Sequence, residues 1–323
     1  MPASLSFGLI GAGWIGSFHA ETLASRLPGV RLAAVADPDP SAAALLNAPK
    51  TFADPLEMIA DSCIDAVAIC SPAATHADLV VAAARAGKHV FCEKPMALTL
   101  EDADRAIDAA RTAGVALQVG FNRRFADDFA DMRDKIADGA IGTPQLLRSL
   151  TRDPGISADV AARVKPWTIF NETLIHDFDT LCWLNPGAHV TQVFAQADAL
   201  IHPALKDSGF LDTAVVQLRF DNGAFAVAEA NFQAVYGYDV RGEVFGSDGV
   251  LLAGREPDRA APGNTDLFAD AYVAQFAHFA ECVRTGTEPS VTGRDARVAL
   301  DIAIAARESV QTGAPVVLYG VLQ

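Results

Sequence analysis

The feature that most constrains this chain is a glycine pattern near its start. Gly11, Gly13 and Gly16 form G-x-G-x-x-G directly after the apolar run Ser6 to Ile10 and at the head of an amphipathic stretch. In a strand-turn-helix unit the first glycine makes the tight turn, the second lets the backbone approach a pyrophosphate, and the third lets helix and strand pack closely. The spacing is weak alone and gains force from its context. Asp37 ends the next apolar run 21 residues after Gly16, where a carboxylate can bind the adenosine ribose hydroxyls. Pro38, Asp39, Pro40 and Ser41 follow, with no cation to meet a 2′-phosphate, so NAD is favoured over NADP. The alternative is a turn that only joins strand to helix and an aspartate that only caps one.

From Ser6 to about Gln118, short apolar runs alternate with alanine-rich amphipathic stretches, which is the order of a parallel α/β sheet. Strands are expected at Ser6 to Ile10, Arg31 to Ala36, Ala66 to Cys70, His89 to Cys92 and Ala116 to Val119. Helices are expected near Gly13 to Arg26, Thr75 to Ala86 and Leu100 to Thr112, with Gly29, Gly87 and Gly114 as stops. The loop Ser71-Pro72 then falls at the carboxyl end of a strand, where a doubly wound sheet receives its ligand. After Gly120 the texture changes. The basic pair Arg123-Arg124 leads into a polar helix, Ala126 to Asp138, then into strand-like runs at Pro144 to Thr151, Val190 to Ala197, Ala214 to Phe220, Ala224 to Asn231 and Asp239 to Phe245. Asp221-Asn222-Gly223 reads as a hairpin turn, so this second sheet should hold antiparallel pairs. Helices at Ala271 to Thr285 and Gly293 to Gln311 close the chain. Two domains are expected: residues 1–120 around the first sheet and 121–323 around the second.

The net charge of -15, from 40 acidic and 25 basic residues without a basic tract, argues against nucleic-acid or anionic-membrane partners. No apolar run reaches the roughly 18 residues of a membrane span, and Met1 to Phe7 lacks a signal-peptide pattern. Cys63, Cys70, Cys92, Cys182 and Cys282 are odd in number and form no C-x-x-C pair. Reduced thiols in a cytoplasmic protein are the expectation.

Two places carry chemistry. His89 to Cys92 runs into Glu93-Lys94-Pro95, a corner on the same rim as the glycine turn. Its ammonium could hold a substrate hydroxyl, or be a surface lysine beside a turn proline. Further on, at about 100° per residue, Glu172, His176 and Asp179 fall within roughly 60° of one another on a helix, while Leu174, Phe178, Leu181 and Cys182 gather opposite. An imidazole flanked by carboxylates suits a general base, because a carboxylate on one ring nitrogen supports the imidazolium formed at the other. A solvated helix face is the plainer reading of the same pattern. No further His or Cys has ligand spacing around it, so no metal is expected.

Together the glycine turn, Glu93-Lys94-Pro95 and the His176 segment resemble the Gfo/Idh/MocA oxidoreductase family. Several stretches are similar to its inositol-dehydrogenase branch: Gln118 to Phe125, Thr151 to Gly155, Ile175 to Asp179, Tyr236-Gly-Tyr238 with Glu243 to Gly249, and Phe268 to Tyr272. The resemblance runs nearly end to end. It implies a Rossmann domain followed by an α+β domain with a large open, mostly antiparallel sheet, whose face commonly makes homodimers or homotetramers. It further implies that Lys94 and His176 contact the hydroxyl being oxidised, that Lys94-Pro95 is cis, and that Arg124, Asp153, Asp179 and Tyr236 (or Tyr238) line the substrate pocket. The expected NAD contacts are Gly11, Gly13, Trp14, Ile15, Gly16, Asp37, Ser71, Pro72, His76, Glu93, Lys94 and Tyr272. The activity implied is oxidation of a secondary hydroxyl of an inositol or related cyclic polyol or sugar, with His176 oriented by Glu172. An aldose dehydrogenase, a keto-sugar reductase and a non-catalytic dinucleotide-binding regulator are the alternatives. The chain departs from the branch pattern at Pro166-Trp167-Thr168, in place of a Ser-Gly-Gly run, and at Glu172, in place of an aspartate. Val164-Lys165 just upstream is a third feature able to reshape the pocket.

Overall fold

The computed structural model describes residues 4–254 and 267–319. The chain divides into two compact units, Met1–Asn122 with Asp270–Arg297, and Arg123–Ala269 with Val298–Gln323. A single cut at residue 120 therefore misses the return of Asp270–Arg297 to the first unit. The cause is long-range: Phe276 and Phe279 are fully buried and join Phe7, Leu9 and Phe91 in one apolar cluster, which no local texture announces.

In the first unit the strands β1 (Leu5–Ile10), β2 (Val30–Ala36), β3 (Lys50–Phe52), β4 (Ala66–Ile69), β5 (His89–Cys92) and β6 (Leu117–Val119) form one parallel sheet. Their order, β3-β2-β1-β4-β5-β6, is that of a doubly wound sheet whose direction switches beside β1. All six residues of β1 are buried, as expected when helices cover both faces of a parallel sheet. Ile10 pairs with both Ala36 and Ile69, and Cys92 with both Ile69 and Val119, so these strands end level. The next residues, Gly11, Asp37, Cys70, Glu93 and Gly120, consequently share one rim.

The helices are α1 (Trp14–Glu21), extended by a π-turn over Thr22–Arg26, then α2 (Pro40–Leu45), α3 (Pro55–Ile59), α4 (His76–Arg85) and α5 (Leu100–Ala113). α2 and α3 begin on Asp-Pro pairs: the Asp39 and Asp54 carboxylates accept from the Ser41 and Leu56 amides, and the proline occupies the first turn. These two helices and β3 were not expected, being too short to show a period. α5 starts where Thr99 caps the Asp102 amide and stops at Gly114, whose φ is 67°.

The second unit is built on β7 (Pro144–Arg152), β8 (Val190–Asp198), β9 (Thr213–Phe220), β10 (Phe225–Asn231), β11 (Asp239–Gly246), β12 (Val250–Ala253) and β13 (Val316–Val317). Their order is β12-β11-β7-β10-β9-β8-β13. β7 and β10 pair in parallel and the remaining pairs are antiparallel, with the expected Asp221-Asn222-Gly223 hairpin joining β9 to β10. β9 and β10 alternate in burial, so one face is covered and the other open. The covered face carries Ala226, Ala228 and Ala230, small enough for α8 (Leu174–Trp183) to lie close across β7 and β10 with Leu174, Phe178 and Leu181 buried. The open face exposes Leu146, Val215, Phe225 and Leu252. α6 (Asp127–Ala137) and α7 (Ala158–Ala161) precede α8. α9 (Ala269–Thr285) and α10 (Gly293–Thr312) follow the second sheet in sequence. The first three residues of the stretch read above for a signal pattern lie outside the described residues.

Candidate active site

The glycine turn is built by close approach. Gly11 has φ +96, and a Cβ there would meet the Ser71 amide nitrogen at 2.7 Å. A Cβ on Gly16 would sit 1.9 Å from the Gly11 carbonyl oxygen, so α1 can leave β1 this closely only with glycine at that point. Gly13 has nothing within 4 Å of such an atom, which leaves its backbone open to a ligand. No side chain caps α1, and its first turn holds no acidic residue, so the amides at its start suit a phosphate group. Trp14 is exposed and Ile15 half-buried beside it. The Asp37 carboxylate accepts from the Ala12 amide at 2.7 Å and from the Asp39 amide at 2.8 Å, which fixes it at the lip of the turn. This combination fits a dinucleotide.

Next along the rim, Ser71 Oγ lies 2.7 Å from Thr75 Oγ1, and the Pro72 carbonyl accepts from Thr75, so the Ser71-Pro72 loop is tied down before α4 begins. His76, an expected cofactor contact, is 2% exposed. Its Nδ1 lies 2.8 Å from the Pro95 carbonyl oxygen and its Nε2 2.7 Å from that of Ser71, so its ring is wedged between two loops and can donate to either. Glu93, also expected at the cofactor, turns inward: Oε1 lies 2.7 Å from His19 Nε2, and Oε2 accepts from the Lys94 amide at 3.2 Å. The neighbouring Cys70 and Cys92 thiols are pushed up by burial and then by the Glu93 charge, so they stay protonated. Lys94 is half-buried and Lys94-Pro95 is cis. Tyr272 is buried with its ring against Phe18 and His19.

In the second unit, the segment expected as one helix is two. Ile169–Thr173 is a π-turn and α8 starts at Leu174. The projection that put Glu172 beside His176 assumed α-helical register throughout, whereas Glu172 lies in the π-turn; it is exposed and His176 is buried. Asp179 is also buried and receives Arg124 in two-pronged fashion, Nε to Oδ2 at 2.9 Å and Nη2 to Oδ1 at 2.5 Å, with the guanidinium over the Trp183 ring. Arg124 and Asp179 thus come together as a clamp on α8.

One residue that the sequence reading did not single out, Asp177, joins this side. Asp177 is fully buried and bonds Arg123 at 2.8 Å, Ser149 Oγ at 2.6 Å and Thr151 Oγ1 at 2.7 Å. The signal for it was present: Ser149 and Thr151 alternate with Leu147 on the inward face of β7, and buried hydroxyls need partners. Tyr238 lies in the same neighbourhood, its phenol pushed up by burial and then by the nearby Asp153. Tyr236, by contrast, bonds Arg152 at 3.3 Å and Asp239 at 3.2 Å within an ionic cluster with Glu229 and Arg241. Of the two tyrosines, Tyr238 is therefore the one grouped with Asp153 and the α8 network, while Tyr236 belongs to the ionic cluster. Trp167 takes a left-handed φ of 66°, where glycine is favoured, with its ring stacked on Phe170 and Arg307 over it.

A doubly wound sheet with this glycine turn and a carboxylate at the end of β2 defines the class: a dinucleotide-binding oxidoreductase fold. Residues 5–121 match the family model described as "Oxidoreductase family, NAD-binding Rossmann fold", and residues 129–252 match the "GFO/IDH/MocA C-terminal domain". The chain belongs to the Gfo/Idh/MocA oxidoreductase family, and its cofactor is NAD. It is 37% identical, over 98% of its length and 97% of the relative's, to "Uncharacterized oxidoreductase YrbE" of Bacillus subtilis. It is 38% identical to "Myo-inositol 2-dehydrogenase" of Thermotoga maritima, over 95% of this chain and 96% of that one. Among solved structures, scyllo-inositol dehydrogenase from Lactobacillus casei with bound NAD(H) and scyllo-inositol superposes with a TM-score of 0.91 at 26% identity, covering 97% of this chain and 99% of that chain.

Proposed function

We propose that the protein oxidises a secondary hydroxyl of an inositol or closely related cyclic polyol to the ketone. Bound NAD supplies the hydride acceptor. In this reading His176 removes the hydroxyl proton, which an imidazole does well near neutral pH. Lys94 holds the same oxygen and offsets the negative charge that develops on it. Arg124 and Asp179 set the pitch of the helix that carries His176. The observation that carries the proposal is that Lys94 stands on the rim that holds the glycine turn, in a chain whose likeness to inositol dehydrogenases runs nearly end to end. Trp167 and Glu172 favour a second reading, a sugar in place of an inositol, because a stacked indole fills space at a left-handed position suited to glycine. Formation of NADH by the purified protein with a panel of inositols and aldoses tests both. An inositol as the best substrate supports the first reading, an aldose the second, and no turnover on any of them sinks both.

The open face of the second sheet is proposed to be covered by a second copy of the chain, since Leu146, Phe225 and Leu252 are exposed there. Sedimentation of a monomer at micromolar concentration would contradict this.

A further inference from the structure

The residues Glu93, Lys94 and Pro95 are gripped from both sides by enclosed imidazoles that the reaction itself does not use. His19 lies three residues after Gly16 on α1 and is 0% exposed. Its Nε2 is 2.7 Å from Glu93 Oε1, while its Nδ1 has no hydrogen-bond partner among the described residues. The ring is walled by Phe91, Tyr272 and Phe276, with centroids 5.9, 5.5 and 4.9 Å away. The proton that makes the bond therefore sits on Nε2, and His19 donates to the carboxylate.

Glu93 passes the restraint on. Its second oxygen accepts the Lys94 backbone amide at 3.2 Å. Gly120 closes against the carboxylate, where even a Cβ would come within 3.0 Å, so the group has no room to turn away. On the far side of Lys94, the Pro95 carbonyl oxygen meets His76 Nδ1 at 2.8 Å, and the same ring reaches the Ser71 carbonyl oxygen at 2.7 Å. The backbone of Lys94 is thus held one residue before and one residue after, by side chains from α1 and α4.

The geometry points to His19 and His76 as positioning residues for Lys94, with His19 acting through Glu93. An apolar pair could fill the same space without desolvating a carboxylate. It could not hold the Lys94 amide, and the polar pair is explained by that task. Because His19 rides on the helix that the glycine turn opens, the cofactor turn and the lysine corner are also joined through one buried contact. This inference rests on the catalytic reading of Lys94 given above.

The test is a double-mutant cycle on the purified full chain, using NADH formation on an inositol, with thermal melts to confirm folding. His19→Leu is expected to lower kcat by about tenfold to a hundredfold, the scale of a misplacement near 1 Å, with the KM for NAD changed much less. His19→Gln, whose amide hydrogen can stand where Nε2–H stands, should recover most of that loss. In a Lys94→Ala background, His19→Leu should change kcat by less than about twofold, because its effect runs through the lysine. Equal losses from His19→Leu in both backgrounds, or no recovery with glutamine, would overturn the proposal as a merely structural effect. Full activity of Lys94→Ala alone would overturn the reading beneath it, and the proposal with it. If His19→Leu does not fold, Glu93→Gln takes its place in the same cycle, with the same outcomes deciding.

Discussion

Asp177→Ala tests the claim that α8 is seated by a buried ionic network. Asp177 has no exposure, its partner Arg123 is nearly as deep, and both carboxylate oxygens are engaged, by Arg123 and Ser149 on one and Thr151 on the other. Removing the carboxylate leaves a guanidinium and two hydroxyls enclosed without their acceptor. Breaking one partner of a buried pair costs about 3–5 kcal/mol. For a unit of roughly 150–250 residues, each kcal/mol moves the melting temperature by about 2–4 °C. The expected fall is therefore about 6–20 °C for the transition of the second unit, read by differential scanning calorimetry or near-ultraviolet circular dichroism. Replacing both partners by apolar residues, Arg123→Met with Asp177→Leu, should regain part of that loss because no charge is then stranded. A fall under about 2 °C, or a double variant less stable than Asp177→Ala, would refute the reasoning.

His176→Ala should lower kcat by about 10²- to 10⁴-fold while leaving NAD affinity, measured by fluorescence titration, nearly unchanged; equal losses in both would count against a proton-transfer role. Asp37→Ala should narrow the preference for NAD over NADP in the ratio of kcat/KM values, and an unchanged ratio would mean that another group reads the ribose. Gly16→Ala must push α1 away from the Gly11 carbonyl oxygen, given a Cβ only 1.9 Å from it. NAD should then bind on the order of tenfold more weakly, and unaltered binding by calorimetry would show that the turn can relax.

What the sequence made legible follows from how local each signal is. Five of the six strands of the first sheet and the helices at Thr75 to Ala86 and Leu100 to Thr112 showed as apolar runs and periods, β3 being too short. The glycine turn was legible because its demand on the backbone excludes other residues at Gly11 and Gly16. The π-turn at Ile169–Thr173 was not, because a change of helical pitch leaves no trace in residue spacing. The return of Phe276 and Phe279 to the first core was invisible for a different reason: an amphipathic helix declares that it has a buried side, not which sheet buries it. His19 and Asp177 fell between these cases. Each sits beside a recognised motif, but its partner is 74 residues away for His19 and 54 for Asp177, so only the folded chain reveals the pairing.

The most direct trial of the catalytic account is steady-state NADH formation by the wild-type protein, Lys94→Ala and His176→Ala, assayed side by side on the best inositol at saturating NAD. The account predicts turnover in the wild type and losses of at least about a hundredfold in both variants, with folding and NAD binding retained. Wild-type rates in either variant, or no NADH from any cyclic polyol or sugar, would contradict it.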